Sequence, residues 1–113
     1  MPHIVIEHSK GLDQSHDLQA LCDTLWQAFA DHRSVSAPDT VRVRTIAATA
    51  SRIGVEPQTF AAATLLLLPG RDEDTRTELA QMTLDALQTA LPDVGSLTVR
   101  LDDLNPPYLK RML

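Results

Sequence analysis

Residues 60–68 read FAAATLLLL, an apolar run broken only by Thr64 and closed by Pro69 and Gly70. A run of this length bounded by turn residues reads as a buried strand. Successive side chains on a strand point to opposite faces, so Leu65 to Leu68 put leucine on both. A strand that is apolar on both sides normally has both sides covered. The fold must therefore supply two covers for this strand, unless the leucine run continues into the turn that follows.

Downstream of the run, Asp72, Glu73 and Asp74 open a helix, where acids suit the positive end of the dipole. Leu79, Met82, Thr83, Ala86, Leu87 and Ala90 follow at offsets 0, 3, 4, 7, 8 and 11, which is one helical face. Pro92 and Gly95 end it, and residues 97–101 (LTVRL) alternate as a last strand. Pro106 and Pro107 keep the 102–113 tail from being regular throughout. Upstream the plan is the same. Residues 2–8 (PHIVIEH) predict a first strand, and 11–15 a turn with Asp13 or Ser15 as helix N-cap. Leu18, Leu21, Cys22, Leu25, Trp26 and Phe29 repeat the six offsets. After a loop at 34–40 containing Pro38, Val41 and Val43 alternate with Arg42 and Arg44 in a second strand, and 51–58 reads as a connection.

The order is thus β-α-β twice, over about 2–50 and 58–103, followed by an irregular tail. It predicts one α+β domain across 1–113: a duplicated β-α-β unit forming a four-stranded sheet with two helices on one face. Two helices cover one face only, and a second copy of the chain is the simplest cover for the other.

At 113 residues the chain has the size of one domain, and with 43% hydrophobic but only 4% aromatic residues its core is aliphatic. A net charge of −5 argues against a nucleic-acid partner. Glu7 interrupts the apolar start, which excludes a signal peptide, and no apolar run approaches the roughly 20 residues needed to span a bilayer. The single cysteine, Cys22, excludes an internal disulfide framework. The expectation is a soluble cytoplasmic protein with no membrane partner.

Four residues could carry chemistry. Pro2 follows Met1, a start from which the methionine is commonly removed, leaving a secondary amine. An α-amino group has a pKa of about 7.7–8.0, lowered by burial or nearby cations, and so suits a base near neutral pH. A chain that keeps Met1 has an amide there instead. Arg42 and Arg44 share the side of their strand away from Val41 and Val43, and arginine binds carboxylates through a planar fork of donors. The competing reading is a solvated polar face. Arg71 stands just before a helix start, where a cation opposes the dipole; the competing reading is a surface ion pair with Asp72 to Asp74. His3 and His8 lie on opposite strand faces and cannot share a metal. His16 and His32 lack zinc-site spacing. There is no phosphate-binding glycine loop or dinucleotide fingerprint.

The start MPHIVIEHS, the VRVR strand at 41–44 and the Gly70-Arg71 pair together resemble the 5-carboxymethyl-2-hydroxymuconate isomerase family of the tautomerase superfamily. The resemblance implies the same duplicated β-α-β fold, assembled as a homotrimer. It implies that Pro2 is catalytic, that Arg42 and Arg71 hold a small carboxylate substrate, and that no metal or organic cofactor takes part. Thr45, Ile46, Ala47, Ala48 and Thr49 stand where the family commonly carries His and Asp, and Arg111, Met112 and Leu113 follow Lys110 where it carries an Asn-Asn pair. The expected function is a keto–enol or double-bond tautomerase acting on an unsaturated 2-hydroxy or 2-oxo carboxylate. The alternatives are a catalytically silent trimer that binds a ligand or partner, and a dehalogenase or decarboxylase built on the same site.

Overall fold

The computed structural model describes residues 2–113. Met1, on whose removal a free Pro2 amine depends, lies outside the described residues. Four strands, β1 (His3–His8), β2 (Arg42–Ala47), β3 (Phe60–Leu67) and β4 (Ser96–Asp103), form one sheet in the order β2-β1-β3-β4. Helix α1 (Leu12–Ser15) is a single turn, and α2 (Leu18–Ala30) and α3 (Glu73–Ala90) are the two long helices. β1 runs parallel to β2 and β3 parallel to β4, while β1 and β3 pair antiparallel at the centre. The predicted α+β architecture of two β-α-β units is what forms.

The inner face of the sheet is set by strict alternation. Ile4, Ile6 and His8 of β1 and Ala61, Ala63, Leu65 and Leu67 of β3 are buried. They pack with Leu18, Leu21, Leu25 and Phe29 of α2 and with Leu79 and Leu87 of α3. Alanines at 61 and 63 leave the helices room to approach the strand. Thr83 is the polar member of the α3 stripe, and its hydroxyl is satisfied by the Leu79 carbonyl at 2.9 Å. Cys22 and Trp26 complete the α2 stripe but are only half-buried, and the Trp26 indole donates to the Val41 carbonyl at 3.1 Å. Ala90 is exposed.

The first helix starts later than the sequence suggests. Gly11 adopts a φ of 88°, open to glycine without strain, and begins the α1 turn. Extended backbone at His16 ends that turn, and Asp17, rather than Asp13 or Ser15, caps α2 by accepting from the Ala20 N–H at 3.0 Å. Asp72 caps α3 in the same way, accepting from the Thr75 N–H at 2.8 Å. β4 is longer than predicted, reaching Asp103, because the Leu104 N–H still bonds the Leu67 carbonyl at 2.7 Å.

The outer face carries His3, Val5 and Glu7 of β1, beside Arg42, Arg44 and Ile46 of β2. On the other side lie Leu66, Thr64 and Ala62 of β3, then Asp102, Arg100 and Thr98 of β4. The leucine run does split as expected, Leu65 and Leu67 inward and Leu66 outward and half-buried. The face around Leu66 is far more polar than that run implies. Leu65→Ala removes a fully buried side chain and is expected to cost about 2–5 kcal/mol in urea unfolding. Leu66→Ala, one residue along on the outer face, is expected to cost clearly less in the same measurement.

Candidate active site

The central antiparallel pairing decides which residues share an end of the sheet. β1 and β2 begin where β3 and β4 finish, so Pro2, Arg42, the β3–α3 turn and the C-terminal tail gather at one end. Pro2 is fully buried. Its carbonyl accepts from the Arg42 N–H at 3.0 Å, which ties the first described residue to the start of β2.

The Arg42 guanidinium lies on the outer face under the tail. Its Nη1 donates to the Tyr108 hydroxyl at 2.7 Å, and Nη2 lies 3.1 Å from the Met112 sulfur. Guanidinium has no acceptor, so the hydroxyl accepts from Arg42 and is free to donate to His3 Nε2 at 3.0 Å. The His3 and Tyr108 rings meet edge to face, centroids 5.7 Å apart. Burial, then the charges of Arg42 and Arg44, hold the His3 pKa below its ordinary value. A neutral imidazole accepting from Tyr108 agrees with that shift. Arg44, next along the same face, is exposed.

Arg71 sits on a different surface. Gly70 turns the chain after β3 with a φ of 125°, a conformation that favours glycine. Arg71 then reaches back to the loop after α2, its Nε donating to Ser34 Oγ at 3.2 Å and Nη2 to the Ser34 carbonyl at 3.0 Å. Its Nη1 approaches the Leu68 carbonyl at 3.5 Å. The ion pair with Asp72 to Asp74 considered from sequence does not form; Asp72 is engaged with Thr75 as the helix cap. Burial lowers the Arg71 pKa. Within one chain Arg42 and Arg71 occupy the same end of the sheet but share no hydrogen-bond partner among the described residues.

Sequence reasoning missed Tyr108. Its signal was present in outline, as a lone tyrosine just after two prolines that stop the tail from continuing the sheet. His3, which by spacing reads only as an unsuitable metal ligand, shares that hydroxyl with Arg42. A concavity of about 670 Å³ between α2 and α3 is lined by Ser15, His16, Thr24 and Asp85 among others and includes none of the expected site residues.

Because folded His3 resists the proton that the unfolded chain takes up, this group withdraws stability as pH falls below about 6.5. Its ring resonances are expected to titrate below 6.5, and Arg42→Met to raise that midpoint by removing a cation. Proton NMR of the two samples checks both.

The fold has solved counterparts. A 5-carboxymethyl-2-hydroxymuconate delta-isomerase superposes with a TM-score of 0.83 at 23% identity, over 99% of this chain and 88% of that one. A 5-carboxymethyl-2-hydroxymuconate isomerase from Deinococcus radiodurans R1 gives 0.83 at 17% identity, over 97% and 88%. A fused 4-OT wild-type symmetric trimer gives 0.73 at 17%, over 97% and 93%. At these identities the likeness establishes the tautomerase fold. No curated protein sequence matches the chain. The family model described as 5-carboxymethyl-2-hydroxymuconate isomerase matches residues 2–99, from Pro2 into β4. The chain belongs to the 5-carboxymethyl-2-hydroxymuconate isomerase family, a group of isomerases.

Proposed function

We propose that this isomerase is a cofactor-free tautomerase in which a neutral Pro2 nitrogen moves a proton on a small unsaturated 2-hydroxy or 2-oxo carboxylate. The observation that carries the reading is the burial of Pro2 at the sheet end where the β2 arginines and the β3–α3 turn also lie. A rigid, desolvated amine near cations is disfavoured in its charged form, so its pKa falls below the ordinary 7.7–8.0 and it is neutral where it must act. Arg42 and Arg71 hold the carboxylate and the enolate oxygen, and Arg44 adds positive potential on the outer face. The nitrogen removes the proton from the 2-hydroxyl, the enol electrons shift, and the protonated amine returns a proton to the distal carbon of the conjugated system.

The working form is a homotrimer. The outer edges of β2 and β4, and the outer sheet face beyond the part that the tail crosses, are uncovered in one chain, and uncovered edges are normally paired or protected. The 4-OT neighbour is itself a symmetric trimer. Sedimentation is expected to give three times the chain mass of 12.4 kDa; a stable monomer at micromolar concentration overturns the assembly.

Two samples test the base, protein verified by mass spectrometry to begin at Pro2 and protein retaining Met1, and Arg71→Ala tests the carboxylate contact. The assay follows the ultraviolet absorbance of 5-carboxymethyl-2-hydroxymuconate and of the simpler 2-hydroxyhexa-2,4-dienoate. Turnover is expected only when Pro2 is free, rising with pH through a pKa below the ordinary amine range. Arg71→Ala is expected to raise KM roughly 10- to 100-fold, the scale of a lost charged hydrogen-bond pair. Equal turnover with and without Met1 overturns the catalytic proline. Chloride release from 3-chloroacrylate without isomerisation of either dienol keeps the base but moves the reaction to dehalogenation.

A further inference from the structure

Arg71 is not held by its own turn. It is held by a chain of hydrogen bonds that crosses from α3 to the loop after α2. Glu78 of α3 accepts from Arg33 through both oxygens, at 2.7 and 2.8 Å, and from His32 Nε2 at 3.1 Å. Those bonds, Arg33 first and then His32, hold the Glu78 carboxyl down at about 2, so it is a carboxylate throughout the working range. A carboxylate can only accept, so His32 Nε2 carries the proton and Nδ1 presents its lone pair.

That lone pair faces Ser34. The Ser34 N–H lies 3.1 Å from Nδ1 and the Ser34 hydroxyl 2.9 Å from it. The hydroxyl therefore donates to His32, which leaves its oxygen to accept from Arg71 Nε–H at 3.2 Å. The Ser34 carbonyl, turned by the same loop, accepts from Arg71 Nη2. The His32 side chain is only 7% exposed, so water competes little for these bonds. The directions agree along the chain: the carboxylate accepts, the Ser34 N–H and hydroxyl share the one Nδ1 lone pair, and the guanidinium donates to the hydroxyl oxygen.

The Arg71 side of the chain gives it a use. Guanidinium has five N–H donors. Ser34 takes Nε–H and one Nη2 hydrogen, and the Leu68 carbonyl is approached by one Nη1 hydrogen. One N–H remains on each terminal nitrogen, the pair a carboxylate accepts in fork geometry. A guanidinium clamped along one edge presents its other edge already oriented, which reduces the ordering cost of binding.

We infer that His32 and Ser34, braced by Glu78, are positioning residues that fix the Arg71 guanidinium with one fork free for the substrate carboxylate. This rests on the proposed role of Arg71 as a carboxylate-binding residue, and the test separates the two. The probe is 2-oxo-3-pentynoate. The neutral Pro2 nitrogen adds to its C4, the new N–C bond replaces one alkyne π bond, and the amine proton ends on C3. The adduct keeps every atom of the reagent, so the mass gain equals the reagent mass.

Inactivation is measured as KI, which reads carboxylate capture, and kinact, which reads the amine. His32→Leu removes the Nδ1 acceptor and is expected to raise KI about tenfold with kinact little changed, the scale of one hydrogen bond to a charged group. His32→Asn offers an oxygen at the Nδ1 position to the Ser34 N–H and is expected to restore most of the affinity. The Arg71 Nε–H resonance, read by nitrogen-15 NMR, is expected to be sharp in the parent and in His32→Asn, and to be lost in His32→Leu and Ser34→Gly. If Arg71→Ala leaves KI unchanged, the carboxylate role of Arg71 fails. If Arg71→Ala raises KI while His32→Leu and Ser34→Gly leave both KI and the Nε–H resonance at parent values, the positioning inference is overturned and the role of Arg71 stands. A fall in kinact alone, equal in the Leu and Asn variants, marks a general structural effect and also overturns it.

Discussion

The antiparallel pairing of β1 with β3 is the contact on which the rest of the molecule depends. Each half of the chain supplies only a parallel pair of strands with one helix across it, too little to close a core. Joined at the centre, the halves bring Ile4 beside Leu65 and Ile6 beside Ala63 under both long helices. The direction of that join matters as much as its burial. Because β1 and β3 run oppositely, the start of one lies beside the end of the other, and Pro2 and Arg71 come to one end of the sheet. A parallel join would put the β3–α3 turn six residues of strand, roughly 20 Å, from Pro2. The candidate site is in this sense a product of topology, and its parts come together whether or not they touch within one chain.

Much of this was legible in the sequence because periodicity reports burial directly. The repeated offsets from Leu18 to Phe29 and from Leu79 to Ala90 found both long helices, and FAAATLLLL found β3 within one residue of its end. Capping was less legible. Asp13, Ser15 and Asp17 all qualify by type, and only the extended backbone at His16 selects Asp17. The longer β4 was hidden because Asp102 and Asp103 are poor strand formers kept in the ladder by their pairing with Leu66 and Leu67.

The site divides along the same line. Arg42 and Arg44 were placed on the outer face by alternation alone, and that is a local property of a strand. Tyr108 was out of reach because its contact with Arg42 and His3 spans most of the chain and depends on how an irregular tail folds back. The Ser34 clamp on Arg71 was invisible for a related reason. Ser34 lies in a loop whose path is set by His32 and Glu78, and no spacing rule links a loop serine to a cation 37 positions away. What sequence did register was an anomaly, a cation immediately before a helix start. The structure explains it: Arg71 turns away from the dipole and spends its donors on the preceding loop.

The outer face changes the argument about assembly. Reading leucine on both sides of β3 suggests an apolar face awaiting an apolar cover. The face instead alternates Val5, Ala62 and Leu66 with Arg44, Glu7, Arg100 and Asp102. Covering such a surface with hydrocarbon would strand several charges, each at a cost of several kcal/mol unless paired. Arg100 already has a partner in Asp102 at 2.8 Å, whereas Arg44 and Glu7 have no ion-pair partner among the described residues. In the trimer proposed above, Arg44 and Glu7 are groups that an interface on this face has to pair or leave in water. Val5 and Leu66, its apolar members, are already half-buried within one chain. Charged residues on an otherwise open sheet face oppose nonspecific stacking of sheets, because stacking would bury them unpaired.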